Sequence, residues 1–288
     1  MVFCEQGEND PLHSSAVKVL TYFTELFSTR GYSALNTARA ALATIVTLND
    51  GYTIGNHPLI VKFFKGAFNL KPSLPRYTEI WDVHIVFNYL RRLAPATKLG
   101  LQDLTLKTCM LVALLTAQRK QTLHLLNITD MTIKRSKFIF YVKEILKTSK
   151  PGSHGLQVEL AAYPPDRRLC VYTYLVEYLK RTKVCRGKER YLSVSYIKPH
   201  SRVSVDTISR WLMTVMQRAG LNVSVFKPHS VRTSAVSAAN LAKVPVSDIL
   251  AHVGWKNEKT FQKYYNKPLL KSQEEFGASL LERQQEHV

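Results

Sequence analysis

The stretch that decides the fold runs from Lys227 to Pro268 and reads KPHSVRTSAVSAANLAKVPVSDILAHVGWKNEKTFQKYYNKP. It carries His229-x-x-Arg232, then a Val253-Gly254-Trp255 turn, then Tyr264 nine residues beyond Trp255. Between them lie two short helical patterns. One, Thr233 to Ala242, is rich in Ala and Ser; the other, Val246 to His252, is entered through Pro245. Proline at a first helical position and glycine just past an end are ordinary helix punctuation.

Charge is the strongest bulk signal around this stretch. The 288 residues hold 40 Lys+Arg against 21 Asp+Glu, a net charge of +19. Such an excess favours polyanionic partners, nucleic acid above all. No run of about 18 apolar residues exists, so no membrane partner is expected. The acidic start MVFCEQGEND lacks the basic and apolar regions of a secretion signal. Cys4, Cys109, Cys170 and Cys185 form no C-x-x-C pair, which fits reduced intracellular thiols. The nine histidines include no H-E-x-x-H, so metal catalysis has no support and no cofactor is called for.

Upstream, apolar stripes predict helices over Ser14 to Thr29, Ser33 to Leu48, and Pro58 to about Phe68, with a turn at Asn49-Asp50-Gly51. Their outer faces are basic through Lys18, Arg30, Arg39, Lys62 and Lys65. Two prolines in Lys71 to Arg76 mark a linker. Thr78 is positioned to cap a helix through Ile80, Val83, Phe87 and Leu90, and Asp103 to cap Leu104 to Gln118. The latter is apolar all round, so it belongs in the centre of a larger domain. Arg119 follows it directly, where an unpaired charge would be costly to bury. Ile128 to Glu144 and Leu156 to Leu160 read as strands, joined by a hairpin containing Lys147 and Lys150. Arg168 to Thr182 is amphipathic and runs into a basic cluster from Lys180 to Arg190, equally readable as phosphate contact or solvated loop. Ser204 caps a helix that Gly220 ends. A tail helix follows from Leu269.

The order His-x-x-Arg, Gly-Trp turn and Tyr resembles the C-terminal motif of the tyrosine recombinase (phage-integrase-like) family. Nearly the whole chain takes part in the resemblance. The strings AQRKQTLHLL, LKTSKPG, PDRRLCVYTYL and DTISRW look most similar to eukaryotic mobile-element recombinases of the DIRS-like, Ngaro-like or Crypton type. The resemblance implies a mainly α fold with a small antiparallel β-sheet, arranged as a two-domain DNA clamp. Residues 1–11 would form an N-terminal extension, 12–70 a SAM-like core-binding domain, 71–80 the linker, and 81–288 the mixed α/β catalytic domain with its tail helix over 269–288.

It also implies roles. Tyr264 would attack the scissile phosphate, Arg119 and Arg232 would clamp its non-bridging oxygens, and Lys147 would protonate the leaving 5′ oxygen. His229 would assist proton transfer or bind the phosphate, and Trp255 would donate its indole N–H or pack against the tyrosine's helix. Tyr265 adjoins Tyr264, but helical neighbours point about 100° apart, and the spacing from Trp255 picks Tyr264. His252 reads as a packed histidine outside the reacting set. Where the family often has an acidic residue three positions after the first arginine, this chain has Thr122.

The chemistry is coherent without the family name. Guanidinium forks match phosphate oxygens, and preorganised donors stabilise charge developing in the displacement. A phenol with pKa about 10 needs such a cationic site to become a nucleophile. Arg39, Lys62, Lys65, Arg76, Lys150 and Arg210 are the candidates for further DNA contact. The expected partners are double-stranded DNA target sites and three further copies of the chain, a tetramer exchanging tail helices in the nucleus. The competing readings are a type IB topoisomerase-like enzyme and a catalytically silent, host-adapted DNA-binding protein.

Overall fold

The computed structural model describes residues 12–72, 79–146, 149, 155–255, 258 and 261–262. The chain divides into two compact units, Met1–Arg76 and Tyr77–Val288. The first contains β1 (His13–Ser14), α1 (Ala16–Thr29), α2 (Tyr32–Leu42), β2 (Thr47–Leu48) and α3 (Pro58–Leu70). Ser15 caps α1 by accepting the Lys18 N–H at 3.3 Å. Pro58 opens α3, where the lost N–H costs nothing. Phe23 and Phe64 meet edge-on at 5.1 Å in the centre of this unit's core, with Leu35 and Ile60 also fully buried.

The second helix stops short of its expected end. It closes at Leu42, and Thr47–Leu48 pairs in parallel with His13–Ser14. The reason lies in Thr44-Ile45-Val46-Thr47, four β-branched residues in a row, which lose side-chain freedom in a helix. Ile45 belongs to no buried stripe, being 60% exposed.

The second unit runs α4 (Val83–Arg92), α5 (Leu101–Thr116), α6 (Lys120–Leu125), β3 (Met131–Lys134), β4 (Lys137–Val142), β5 (Leu156–Ala161), α7 (Val171–Cys185), α8 (Val205–Arg218), α9 (Ser230–Leu241) and α10 (Val246–Val253). Two caps differ from expectation. Asp82 caps α4, accepting the His84 N–H at 2.9 Å, so Ile80 precedes the helix; Thr78 lies outside the described residues. α5 begins after Gly100, ahead of Asp103, whose carboxylate instead meets Arg218 at 2.9 Å.

α5 is the axis of this unit, buried along most of its length and packed against α7, α8 and α9. Even Lys107 is 0% exposed. Its ammonium donates to the Leu90 and Leu93 carbonyls at 2.7 and 2.6 Å, satisfying the end of α4, and lies 3.8 Å from the centre of the Tyr174 ring. The sheet has the order β3-β4-β5 and is antiparallel throughout. Phe138 pairs with Leu160, Phe140 with Val158, and Val142 with Leu156. Alternation therefore sends Phe138, Phe140, Val142, Val158 and Leu160 into the core around α5. The mainly α fold with a small antiparallel sheet is the one expected.

Candidate active site

The site is built around α9. Its first residue, Ser230, is 0% exposed and accepts the indole N–H of buried Trp81 at 2.8 Å, which pins the helix start to the segment ahead of α4. His229, at the N-cap, is exposed beside it. One turn along, Arg232 is only 6% exposed. The small side chains Thr233, Ser234 and Ser237 are buried too, and let neighbouring backbone come close enough to hold it. Its Nη2 donates to the Val253 carbonyl at 3.3 Å, and its guanidinium lies 4.7 Å from the centre of the Trp255 ring. A desolvated cation over an indole face is an attractive pairing.

The turn that brings Trp255 there is a helix end closed by glycine. Gly254 adopts φ 71° and ψ 38°, its N–H donates to the Ala251 carbonyl at 3.2 Å, and the Trp255 N–H donates to the Leu250 carbonyl at 2.8 Å. Only glycine takes this left-handed conformation without steric cost. A side chain at 254 would also meet Leu156, whose Cδ1 stands 3.9 Å from where a Cβ would sit. The base of the β4–β5 hairpin is thus beside the Trp255 turn.

Arg119 reaches the same neighbourhood by another path. α5 ends at Ala117 in the left-handed region, φ 47° and ψ 28°, and Arg119 then stands at the N-cap of α6, partly buried. Gln118 between them is buried, and its Nε2 donates to the His252 carbonyl at 3.1 Å. His252 answers with its own Nε2, which donates to the Leu115 carbonyl at 3.1 Å. Ala117, Val236, Ile249, Val253 and Phe261 form a small separate core beneath this clasp. Both arginine-bearing segments therefore join one packed cluster, through Ala117 and Val236. Phe261 is 0% exposed in that cluster and lies three positions before Tyr264 in the sequence.

Thr122 is 3% exposed. A carboxylate at this position would need a charge-balancing partner in the interior, whereas a threonine hydroxyl needs only a hydrogen bond. Tyr264, Lys147, Lys150 and Arg76 lie outside the described residues, as do Tyr265 and the tail over 269–288. On either side of Lys147 in the sequence, the Ser149 N–H donates to the Leu146 carbonyl at 2.9 Å, and the Leu146 N–H donates to Ser149 Oγ at 2.9 Å.

Of the peripheral cations, Lys62, Lys65 and Arg210 are exposed, and Arg210 donates to Thr207 Oγ1 at 2.8 Å. Arg39 lies 4.5 Å over the Phe64 ring. The basic cluster from Lys180 to Arg190 is not a uniform patch. Arg186 is 7% exposed and donates to Thr182 Oγ1 and to the Tyr191 and Leu192 carbonyls. Arg181 donates to the Thr97 and Leu99 carbonyls and to Glu177. Both hold structure, so the cluster offers fewer free cations than its sequence suggests. Among the described residues no group of three or more His, Cys, Asp or Glu could hold a metal ion, and no helix is long and apolar enough to cross a membrane.

Sequence reasoning passed over Gln118, Ser230 and Trp81. Nothing in their spacing marks them, because their partners are 134 and 149 positions away.

Several solved structures share this fold. The XerH site-specific recombinase, in a post-cleavage complex with a palindromic difH substrate, is 14% identical with a TM-score of 0.61, covering 86% of this chain and 67% of its own. The Tn1549 transposon integrase (residues 82–397), in complex with circular intermediate DNA, is 11% identical with a TM-score of 0.60, covering 94% and 86%. A lambda integrase tetramer bound to a Holliday junction is 14% identical with a TM-score of 0.51, covering 90% and 68%. No curated protein matches the chain in sequence. The model of the Phage integrase family matches residues 85–269, well over half of the chain and all of the elements just described from α5 to Phe261. The chain belongs to the phage integrase family.

Proposed function

We infer that this chain is a site-specific DNA recombinase of a mobile element. It cleaves and rejoins duplex DNA through a covalent 3′-phosphotyrosyl ester and a Holliday junction, with no metal and no ATP. Tyr264 is the nucleophile, Arg119 and Arg232 bind the non-bridging oxygens, and Lys147 protonates the 5′ oxygen. His229 donates to the phosphate, and Trp255 orients Arg232.

The observation that carries this reading is the joint placement of the two arginine segments. Arg232 is buried against the Trp255 indole at 4.7 Å, while the segment ending in Arg119 is clasped to the carbonyl of His252 on the same helix end. Arg232 rests on a ring face and a backbone carbonyl. Such a cation lowers the cost of charge on phosphate oxygens and on a phenolate.

In this reading the two units clamp a duplex largely through its phosphates, with Arg39, Lys62, Lys65, Arg76, Lys150 and Arg210 contributing. Four copies assemble on two sites by exchanging the tail over 269–288, and the protein works in the nucleus. Eukaryotic elements of the DIRS-like, Ngaro-like or Crypton type are the source its strings suggest.

The test is a covalent trap. The protein is mixed with a pool of nicked duplexes, SDS-resistant adducts are isolated, and the linked peptide is mapped by mass spectrometry. An adduct on Tyr264 that Tyr264→Phe abolishes, with DNA affinity kept, is the expected result. Tight binding with no adduct would turn the conclusion toward a silent DNA-binding protein.

A further inference from the structure

Past the last ladder pair, Val142 with Leu156, the outgoing arm of the hairpin leaves the sheet through Lys143 and Glu144. Both are tied to the body of the unit. Lys143 forms an ion pair with Asp130, and Glu144 Oε1 accepts from the Tyr191 hydroxyl at 3.4 Å. Tyr191 is itself firmly seated. Its backbone forms a bridge with Asn127, directly after α6. Its ring stacks on His124, with centroids 6.2 Å apart and planes 6° from parallel. The Arg202 guanidinium lies 3.2 Å from the same ring's centroid and reaches the His124 carbonyl at 3.5 Å. The Arg202 N–H in turn donates to Glu189 at 3.2 Å. Burial, aided by the Arg202 charge, holds the His124 imidazole below its ordinary pKa, so a neutral ring does the stacking. His124 belongs to α6, the helix that Arg119 opens.

We propose that Tyr191, acting through Glu144, is a positioning residue that sets the hairpin carrying Lys147 against the helix that carries Arg119. It rests on the recombinase reading with Lys147 as general acid. A sheet orients residues within its ladder, and Lys147 comes five positions after the last one on β4, Val142. Something outside the ladder must therefore set the approach of the acid. The 3.4 Å bond is long, so it adds little stability. Direction is what it supplies, and an ångström of misplacement costs roughly a hundredfold in rate.

The chemistry gives a selective readout. As Tyr264 Oη gives up its proton to solvent and bonds to phosphorus, the bond from phosphorus to the 5′ oxygen breaks, and that oxygen takes the Lys147 proton. With sulfur at the 5′ bridging position, the leaving thiolate needs no proton. Tyr191→Phe keeps the ring and its stacking but removes the hydroxyl; Glu144→Ala removes the acceptor; Glu144→Gln keeps an acceptor oxygen.

On the nicked duplex recovered from the covalent trap, Tyr191→Phe and Glu144→Ala should slow single-turnover adduct formation about tenfold. DNA affinity should stay unchanged. With the 5′-bridging phosphorothiolate duplex both should return to about twofold of the parent rate, and Glu144→Gln should match the parent on both substrates. Equal slowing on both substrates would overturn the proposal, as would no slowing on either. Lys147→Ala is the control for the reading beneath it. If the thiolate substrate rescues Lys147→Ala but not Tyr191→Phe, the acid stands and the positioning role falls. If Lys147→Ala is not rescued, that reading fails, and amide hydrogen exchange decides the tie alone. Exchange over residues 143–155 should then quicken about threefold in Tyr191→Phe, and unchanged exchange would end the proposal.

Discussion

Gln118→Ala opens the clasp between the segment ending in Arg119 and the end of α10. The Gln118 side chain is buried, and its bond to the His252 carbonyl is 3.1 Å long. The bond contributes about 1 kcal/mol net. Losing its one buried γ-methylene costs about 0.8 kcal/mol more. His252 is exposed, so water can replace the lost donor at its carbonyl and no orphan penalty is added. The total is about 1.8 kcal/mol, or a Tm lowered by roughly 4–7 °C for a unit of this size. His252→Ala loses only the exposed bond to Leu115, worth about 1 kcal/mol. Because both bonds join the same two segments, the double variant should fall short of the sum by about 0.5 kcal/mol or more. Urea unfolding of the four proteins measures the cycle. Strict additivity, or a Gln118→Ala loss below about 0.5 kcal/mol, would refute the idea that these residues act as one fastening.

Three further outcomes are expected. Burial pushes the Lys107 ammonium down to about 7 from its ordinary 10.5, outweighing the attraction of Asp166. Between those values the unfolded chain binds more protons than the native one, so stability should rise with pH from about 7 towards 10. Lys107→Met should flatten that rise in urea titrations at pH 7 and pH 9; an unaltered slope would contradict it. Ser230→Ala strands the Trp81 indole N–H in the interior and should cost about 1–3 kcal/mol by denaturant midpoint. Arg232→Lys keeps the charge but loses the planar contact with Trp255. Adduct formation should fall about a hundredfold or more while DNA affinity holds, and near-normal cleavage would refute the role assigned to the guanidinium.

Most of the fold was legible because its signals are local. The punctuation at Ser204, Pro58, Gly220 and Gly254 sits where helices begin and end. The alternation of Phe138, Phe140 and Val142 against Val158 and Leu160 gave the sheet. The errors are local as well. Ile45 completed an apolar stripe on paper, but four β-branched residues favoured an extended pairing. Asp103 looked like a cap, yet Arg218, 115 positions away, claims its carboxylate. The site was half legible. His229, Arg232 and Trp255 stood out by spacing, whereas the fastenings around them join residues more than a hundred positions apart. Long-range pairs of this kind leave no trace in periodicity, and Lys107 shows the same blindness from inside a stripe.

Ala117 stands in the left-handed region immediately before the arginine turn, and its methyl is buried with Val253 and Phe261. The backbone there favours glycine by about 1 kcal/mol, while the buried methyl favours alanine by a similar amount. The opposing preferences nearly cancel, and any longer or β-branched side chain loses on both counts. Glycine and alanine should therefore be interchangeable at 117, and β-branched residues the most strongly disfavoured. A pattern search for kindred chains ought to treat glycine and alanine there as synonyms, and a saturation library at this codon should be enriched in both.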